Sequence, residues 1–182
     1  MKYLTLFRHA KSGWDDPVAR DFDRPLNERG KIAAELIGQF AARQGMVFDH
    51  MISSPAVRCI DTLDAFFTGY GKTIEPQWDR RVYLASSATL LDVVRETPAH
   101  VQSLMLVGHN PGMEDLVLSL VPDDGSSPLR DLVEEKFPTA SLAVLAWDSD
   151  NWADLREGGA RLVQFTRPRD LDPALGPEHE DH

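Results

Sequence analysis

Apolar positions along this chain fall into two alternating patterns. Short continuous runs read as buried strands, and longer stretches repeat every three to four residues as helices do. Lys2–Phe7 is the first run, and it stops abruptly at Arg8-His9-Ala10. Lys11–Pro25 carries Gly13, Pro17 and Pro25 among charged residues and reads as a polar loop. Asn27 suits an N-cap. Ile32, Leu36 and Phe40 recur at i, i+4 and i+8, flanked by Ala33, Ile37 and Ala41, so an amphipathic helix is predicted up to Gly45.

Phe48–Ile52 is a second strand. Ser54 as N-cap and Pro55 at the first helical position open a helix that buries Ile60, Leu63 and Phe67 and stops near Gly69. Thr73–Trp78 is a third strand and Ser87–Thr97 a short helix ended by Pro98. Ser103–Val107 is a fourth strand, followed by Gly108-His109-Asn110-Pro111-Gly112 and a helix through Leu116, Leu120 and Val121, with Asn110 as cap and Pro111 at its first position. Pro122–Pro128 reads as a loop. Ala140–Trp147 and Arg161–Thr166 are strand-like, and their short connection favours antiparallel pairing. The alternation predicts a three-layer α/β/α sandwich with a mostly parallel sheet and one antiparallel strand near the C-terminus. Residues 1–167 form one domain. Residues 168–182 hold three prolines and five acids against one arginine, which predicts a flexible acidic tail.

Composition narrows the function classes. The 182 residues carry 19 Lys and Arg against 29 Asp and Glu, a net charge of −10, which disfavours a general nucleic-acid or membrane-surface binder. The single cysteine, Cys59, excludes an internal disulfide framework and reads as a core residue. The N-terminus lacks the apolar region of a secretory signal and no run has transmembrane length, so a cytoplasmic protein is expected.

Three segments share one grammar of strand, tight turn and then a group able to meet an anion: Arg8-His9, Ser53-Ser54-Pro55-Ala56-Val57-Arg58, and Gly108-His109. Arg58 falls in the first turn of its helix, where the macrodipole disfavours a cation unless an anion is close. Singly, each is equally a surface arginine or a structural histidine. Parallel topology brings all three strand ends to one edge, where ligands of open α/β sheets bind.

The chain resembles the histidine phosphatase (phosphoglycerate-mutase-like) superfamily, and within it the SixA-type phosphohistidine phosphatases. The resemblance spans roughly residues 1–170. It rests on Leu-Phe-Arg-His-Ala-Lys-Ser at 6–12, Asp-Arg-Pro-Leu-Asn-Glu-Arg-Gly at 23–30, Ser-Ser-Pro-Ala-Val-Arg at 53–58 and Val-Gly-His-Asn-Pro-Gly at 107–112. It implies His9 as a nucleophile that carries a phosphohistidine intermediate, with Arg8, Arg58 and His109 around the phosphoryl oxygens. It implies no metal and no cofactor. Ala10 replaces the glycine common at that place.

Many superfamily members supply an acidic group between the second helix and the strand bearing the second histidine. Here Glu75, Asp79, Asp92 and Glu96 lie in that region without a matching motif. A phosphohistidine substrate accounts for this, because its leaving imidazole needs little protonation. The expected partner is therefore a phosphorylated protein, such as a histidine-phosphotransfer domain, with a small phosphoester or a non-catalytic phosphate-binding module as alternatives.

Other local patterns fall short of a site. Cys59 lacks the C-x5-R spacing, Gly71-Lys72-Thr73 lacks the first glycine of a P-loop, and Asp21-Phe22-Asp23 sits in a loop rather than at a strand end. His179–His182 could hold a metal adventitiously. Lys11 and Ser12 are candidate substrate contacts. Of the four tryptophans, only Trp14 falls near the proposed site.

Overall fold

The computed structural model describes residues 1–13 and 20–176. Trp14 and the His179–His182 run lie outside the described residues.

Six strands, β1 (Lys2–Arg8), β2 (His50–Ser53), β3 (Gln77–Trp78), β4 (Ser103–Gly108), β5 (Leu142–Trp147) and β6 (Arg161–Thr166), form one sheet in the order β3-β2-β4-β1-β5-β6. β1, β2, β3 and β4 pair in parallel. β5 runs antiparallel to both β1 and β6, so it is the one reversed strand. Side chains alternate across the sheet, as the strand period requires. Leu4, Leu6, Leu104, Leu106 and Leu145 point to one core, and Phe7, Met51, Met105, Val107 and Leu142 to the other.

Helices α1 (Glu28–Arg43) and α2 (Val57–Tyr70) cover the second face, whereas α3 (Ser87–Arg95), α4 (Gly112–Leu120) and α5 (Pro128–Glu135) cover the first. α5 was not expected from the sequence. Its start is built by the Ser127 hydroxyl, which accepts a hydrogen bond from the Arg130 amide at 3.1 Å, with Pro128 in the first turn. The predicted third strand shrinks to Gln77–Trp78, two exposed residues at the sheet edge.

The predicted core face of α1 is corrected. Ile32 is 56% exposed, and the buried face is Gly30, Ala33, Ala34, Ile37, Gly38 and Ala41. The cause is close helix contact. A Cβ on Gly38 would stand 2.1 Å from the Phe66 carbonyl oxygen, and one on Gly69 would stand 2.0 Å from that of Glu35. Small residues let the two backbones touch, and the large apolar residues of α1 are displaced to its flank. α2 likewise buries Cys59, Thr62, Leu63, Phe66 and Tyr70, while Ile60 and Phe67 are only half-buried. It ends one residue later than expected, where Gly71 takes the left-handed conformation (φ 84°).

Of the acidic C-terminal segment, residues 168–176 are described. α6 (Pro168–Leu171) and a following turn at Pro173–Leu175 pack Leu171 and Leu175 against the α1 side, and Arg29 holds the Gly176 carbonyl at 2.8 Å. Among the described residues, no helix is long and apolar enough to cross a membrane.

Candidate active site

Register brings the three sequence segments together. Arg8 of β1 stands opposite Gly108 of β4, and Ser53 of β2 opposite Val107. The residues just past these strand ends are therefore neighbours: the His9 amide donates to the Gly108 carbonyl (3.1 Å) and the Ser54 amide to that of Val107 (3.0 Å). The rings of His9 and His109 lie 5.2 Å apart.

The turn after β1 is clamped. The Ala10 amide donates to the Thr62 hydroxyl (2.9 Å), which donates to the Arg58 carbonyl (2.6 Å). Gly30 admits the Lys11 backbone, because a Cβ there would stand 2.2 Å from the Lys11 carbonyl oxygen. Ala10 is fully buried, which explains why a small residue occupies this place.

His9 is held in one tautomer. Its Nδ1 lies 2.7 Å from the Ala10 carbonyl oxygen, which can only accept, so Nδ1 carries the proton and Nε2 keeps its lone pair. Burial, followed by the Arg8 charge, lowers its pKa well below 6.5. The imidazole is neutral at neutral pH, the form in which Nε2 is a nucleophile.

Arg58 is 2% exposed at the start of α2. No side chain caps that helix: Ala56 occupies the cap position, and Ser54, expected there, instead accepts from the Ala56 amide at 3.2 Å. The Arg58 Nη2 donates to His109 Nδ1 (3.2 Å), and its Nε is buried with no acceptor among the described residues. His109 Nε2 lies 2.8 Å from the Ser54 hydroxyl. Because the guanidinium can only donate, His109 is neutral with its proton on Nε2. Burial and then Arg58 lower its pKa to about 3. Arg8 reaches away from the strand end to the Phe137 carbonyl (2.9 Å), which the Asn110 side-chain amide also binds (2.9 Å). Asn110 is not the N-cap of α4. Pro111 holds that position, and the Asn110 side chain accepts from the Glu114 amide at 3.2 Å.

Sequence reasoning missed one group. Asp21 spans the site from the loop before α1. Its carboxylate accepts from Arg58 (3.0 Å), from the Tyr83 hydroxyl (2.6 Å) and from Arg24 (3.0 Å). These partners outweigh its partial burial and hold its pKa at about 2. The Tyr83 ring meets His109 edge-on with centroids 5.4 Å apart. The signal was visible, since Asp21 lies two residues before the 23–30 motif, but a loop with no period gives no direction to its side chain. The four carboxylates between the second helix and the strand bearing the second histidine lie elsewhere. Glu75 and Asp92 are exposed, and Asp79 and Glu96 both bind Arg81. Cys59 is buried 3.7 Å from His109, and burial pushes its thiol up to about 12, so it stays protonated and inert.

Two arginines, a helix start and two neutral imidazoles gather at the carboxyl edge of a mostly parallel sheet, a chemistry suited to a small oxyanion. Comparison with known proteins gives the family. Residues 4–81 match the histidine phosphatase superfamily (branch 1). The chain is 36% identical to the protein assigned as phosphohistidine phosphatase SixA in Agrobacterium tumefaciens, covering 92% of this chain and 98% of that one with a TM-score of 0.77. Its counterpart from Nakamurella multipartitia is 30% identical with a TM-score of 0.79, over 92% and 96% of the two chains. An uncharacterized protein of Mycobacterium tuberculosis is 34% identical over 163 residues, covering 89% of this chain and 99% of that one. The chain belongs to the histidine phosphatase superfamily, in its SixA-type group.

Proposed function

We propose that this phosphatase moves a phosphoryl group from phosphohistidine on a protein to His9 and then to water. The observation that carries the reading is the one uncommitted nitrogen of His9. Its Nδ1 is committed to the Ala10 carbonyl, its ring is neutral, and its Nε2 is left as the nucleophile. In the first step Nε2 bonds to phosphorus as the P–N bond of the substrate breaks, and the bonding pair stays on the leaving imidazole. In the second step water attacks phosphorus, His9 recovers its pair, and the water proton leaves with phosphate. Arg8 and Arg58 supply the charge stabilisation that phosphoryl transfer chiefly needs, so the scheme uses no metal.

The nature of the leaving group supports phosphohistidine. The carboxylate that touches the site, Asp21, is ionised at every ordinary pH and has no proton to give. An imidazole leaving group protonated on its other nitrogen departs neutral without one. A second reading, a small phosphoester, is favoured by Glu114. Burial and the neighbouring Asp115 raise its carboxyl above the usual range, and the Arg8 charge reaches it.

The test compares phosphate release from a phosphorylated histidine-phosphotransfer domain with release from a panel of phosphoesters, using wild type, His9→Ala and Glu114→Gln. The proposal expects His9-dependent release that favours phosphohistidine and is unchanged in Glu114→Gln. Preference for an ester, lost in Glu114→Gln, overturns the substrate and installs the second reading.

A further inference from the structure

A cavity lined by cations lies close in sequence to the candidate active site. Lys11, Arg29, Arg167 and Arg169 line it together with Thr139 and Gly176. Four cations around one cavity are unexpected in a chain of net charge −10. The three arginines come from two elements distant in sequence, the start of α1 and the segment at α6, so no single charged run explains the cluster. Arg167 pairs with Asp170 at 2.8 Å, and Arg29 donates to the Gly176 carbonyl. Arg169 has a buried Nε with no acceptor among the described residues.

The cavity is lined in part by residues that neighbour the candidate active site along the chain. Lys11 is two residues from His9, within about 7 Å along the chain. Thr139 precedes Ala140, whose amide is shared between the Arg8 (3.1 Å) and His9 (3.0 Å) carbonyls. A protein seated on His9 would cover both, because a protein contact spans roughly 800 Å² on each partner.

We propose that this cavity is an anion subsite that receives an acidic side chain of the phosphorylated protein. The choice of a carboxylate follows from the shape and the source. The cavity is narrow, about 30 Å³, enough for the head of one side chain. Apart from its phosphoryl group, which the first site takes, the anions on a protein surface are carboxylates. Planar guanidinium forks bind carboxylates through paired hydrogen bonds. The subsite gives an acidic chain a local cationic surface for a carboxylate that its net charge of −10 repels. The inference rests on the protein-substrate reading above.

The test separates the two. A short acetylated, amidated Glu-Asp-Glu peptide is titrated into the intact protein, followed by amide NMR shifts, at two ionic strengths. The same is done for Arg169→Gln and for Arg29→Gln/Arg169→Gln. Shifts at Lys11, Thr139 and Gly176 that weaken with salt and weaken about five-fold in affinity in the double variant are expected. Turnover of a chromogenic aryl phosphate should stay within two-fold in both variants, roughly the effect of a screened surface charge, which also shows that they fold. Absence of shifts in the wild type, or shifts unaltered in the variants, overturns the subsite. That result holds whether or not phosphohistidine is the substrate, which the release assay decides alone. If kcat/KM on the phosphorylated protein falls no more than that on the aryl phosphate, the subsite is not used for the substrate and the proposal fails.

Discussion

Arg58 Nη2 donates to His109 Nδ1 across 3.2 Å, and this contact fixes the tautomer of His109. His109 Nδ1 is therefore an acceptor in the free protein, and it cannot donate to an incoming oxyanion. An anion on Arg58 would remove part of the field that keeps His109 neutral, and the imidazole would take up a proton. The sign follows. Sulfate, a dianion across the range, should inhibit more strongly as pH falls from 8 toward 6, approaching about ten-fold per pH unit for one coupled proton. Inhibition constants measured for wild type and His109→Gln check this. The slope should vanish in the variant, and a flat wild-type profile would sink the idea.

His9 gives a second pH signature. Its folded pKa is depressed, chiefly by burial, so the neutral imidazole persists well below 6.5. The acid limb of kcat/KM reports the free enzyme and, corrected for substrate ionisation, should lie below that value. The same depression bears on stability. An unfolded histidine binds a proton near 6.5 and the folded His9 and His109 do not, so stability is present above that pH and declines as pH falls below it. An acid limb centred at or above 6.5, or a melting temperature that holds constant from pH 7 to 4, would contradict this.

Asp21 competes for Arg58. Its carboxylate holds the guanidinium from 3.0 Å and is charged throughout the working pH range. In Asp21→Asn the inhibition constant of inorganic phosphate should fall about two- to five-fold, the value of a partly exposed charge pair. Weaker phosphate binding in the variant would show instead that Asp21 acts mainly to position Arg58 and Tyr83.

The contact of α1 with α2 sets the height of Arg58 and Thr62 above the sheet. Gly38→Ala forces a methyl within 2.1 Å of the Phe66 carbonyl oxygen. We expect a loss of about 2 kcal/mol, as for overpacked cores, or roughly 6 °C in Tm for a domain of this size. Thermal unfolding measures it, and an unchanged Tm would mean that the helices separate at little cost.

Much of this was legible in the chain because strand ends are easily read. A short apolar run that stops at Arg8-His9 or Gly108-His109 places its polar residues at one sheet edge, and parallel order does the rest. The helix faces were harder. In α1 the apolar stripe of Ile32, Leu36 and Phe40 was the more hydrophobic, yet the buried face is the one with Gly38 and the alanines, because backbone approach prevailed over side-chain area. Asp21 was illegible for a different reason. Loops carry no period, and only the fold shows that its carboxylate turns back over Arg58. The ordering of 168–176 depended on Leu171 and Leu175, two residues whose docking surface is formed by α1 far away in sequence.

The central claim is that His9 Nε2 carries the phosphoryl group. The direct measurement is a rapid acid-free quench of the enzyme during turnover of a phosphorylated histidine-phosphotransfer domain, with phosphorus NMR and intact mass of the trapped protein. The account predicts one phosphoryl group per chain, on Nε2 of His9, labile in acid and absent from His9→Ala. A phosphoryl group on Nδ1, or on another residue, or turnover that persists in His9→Ala, would contradict it.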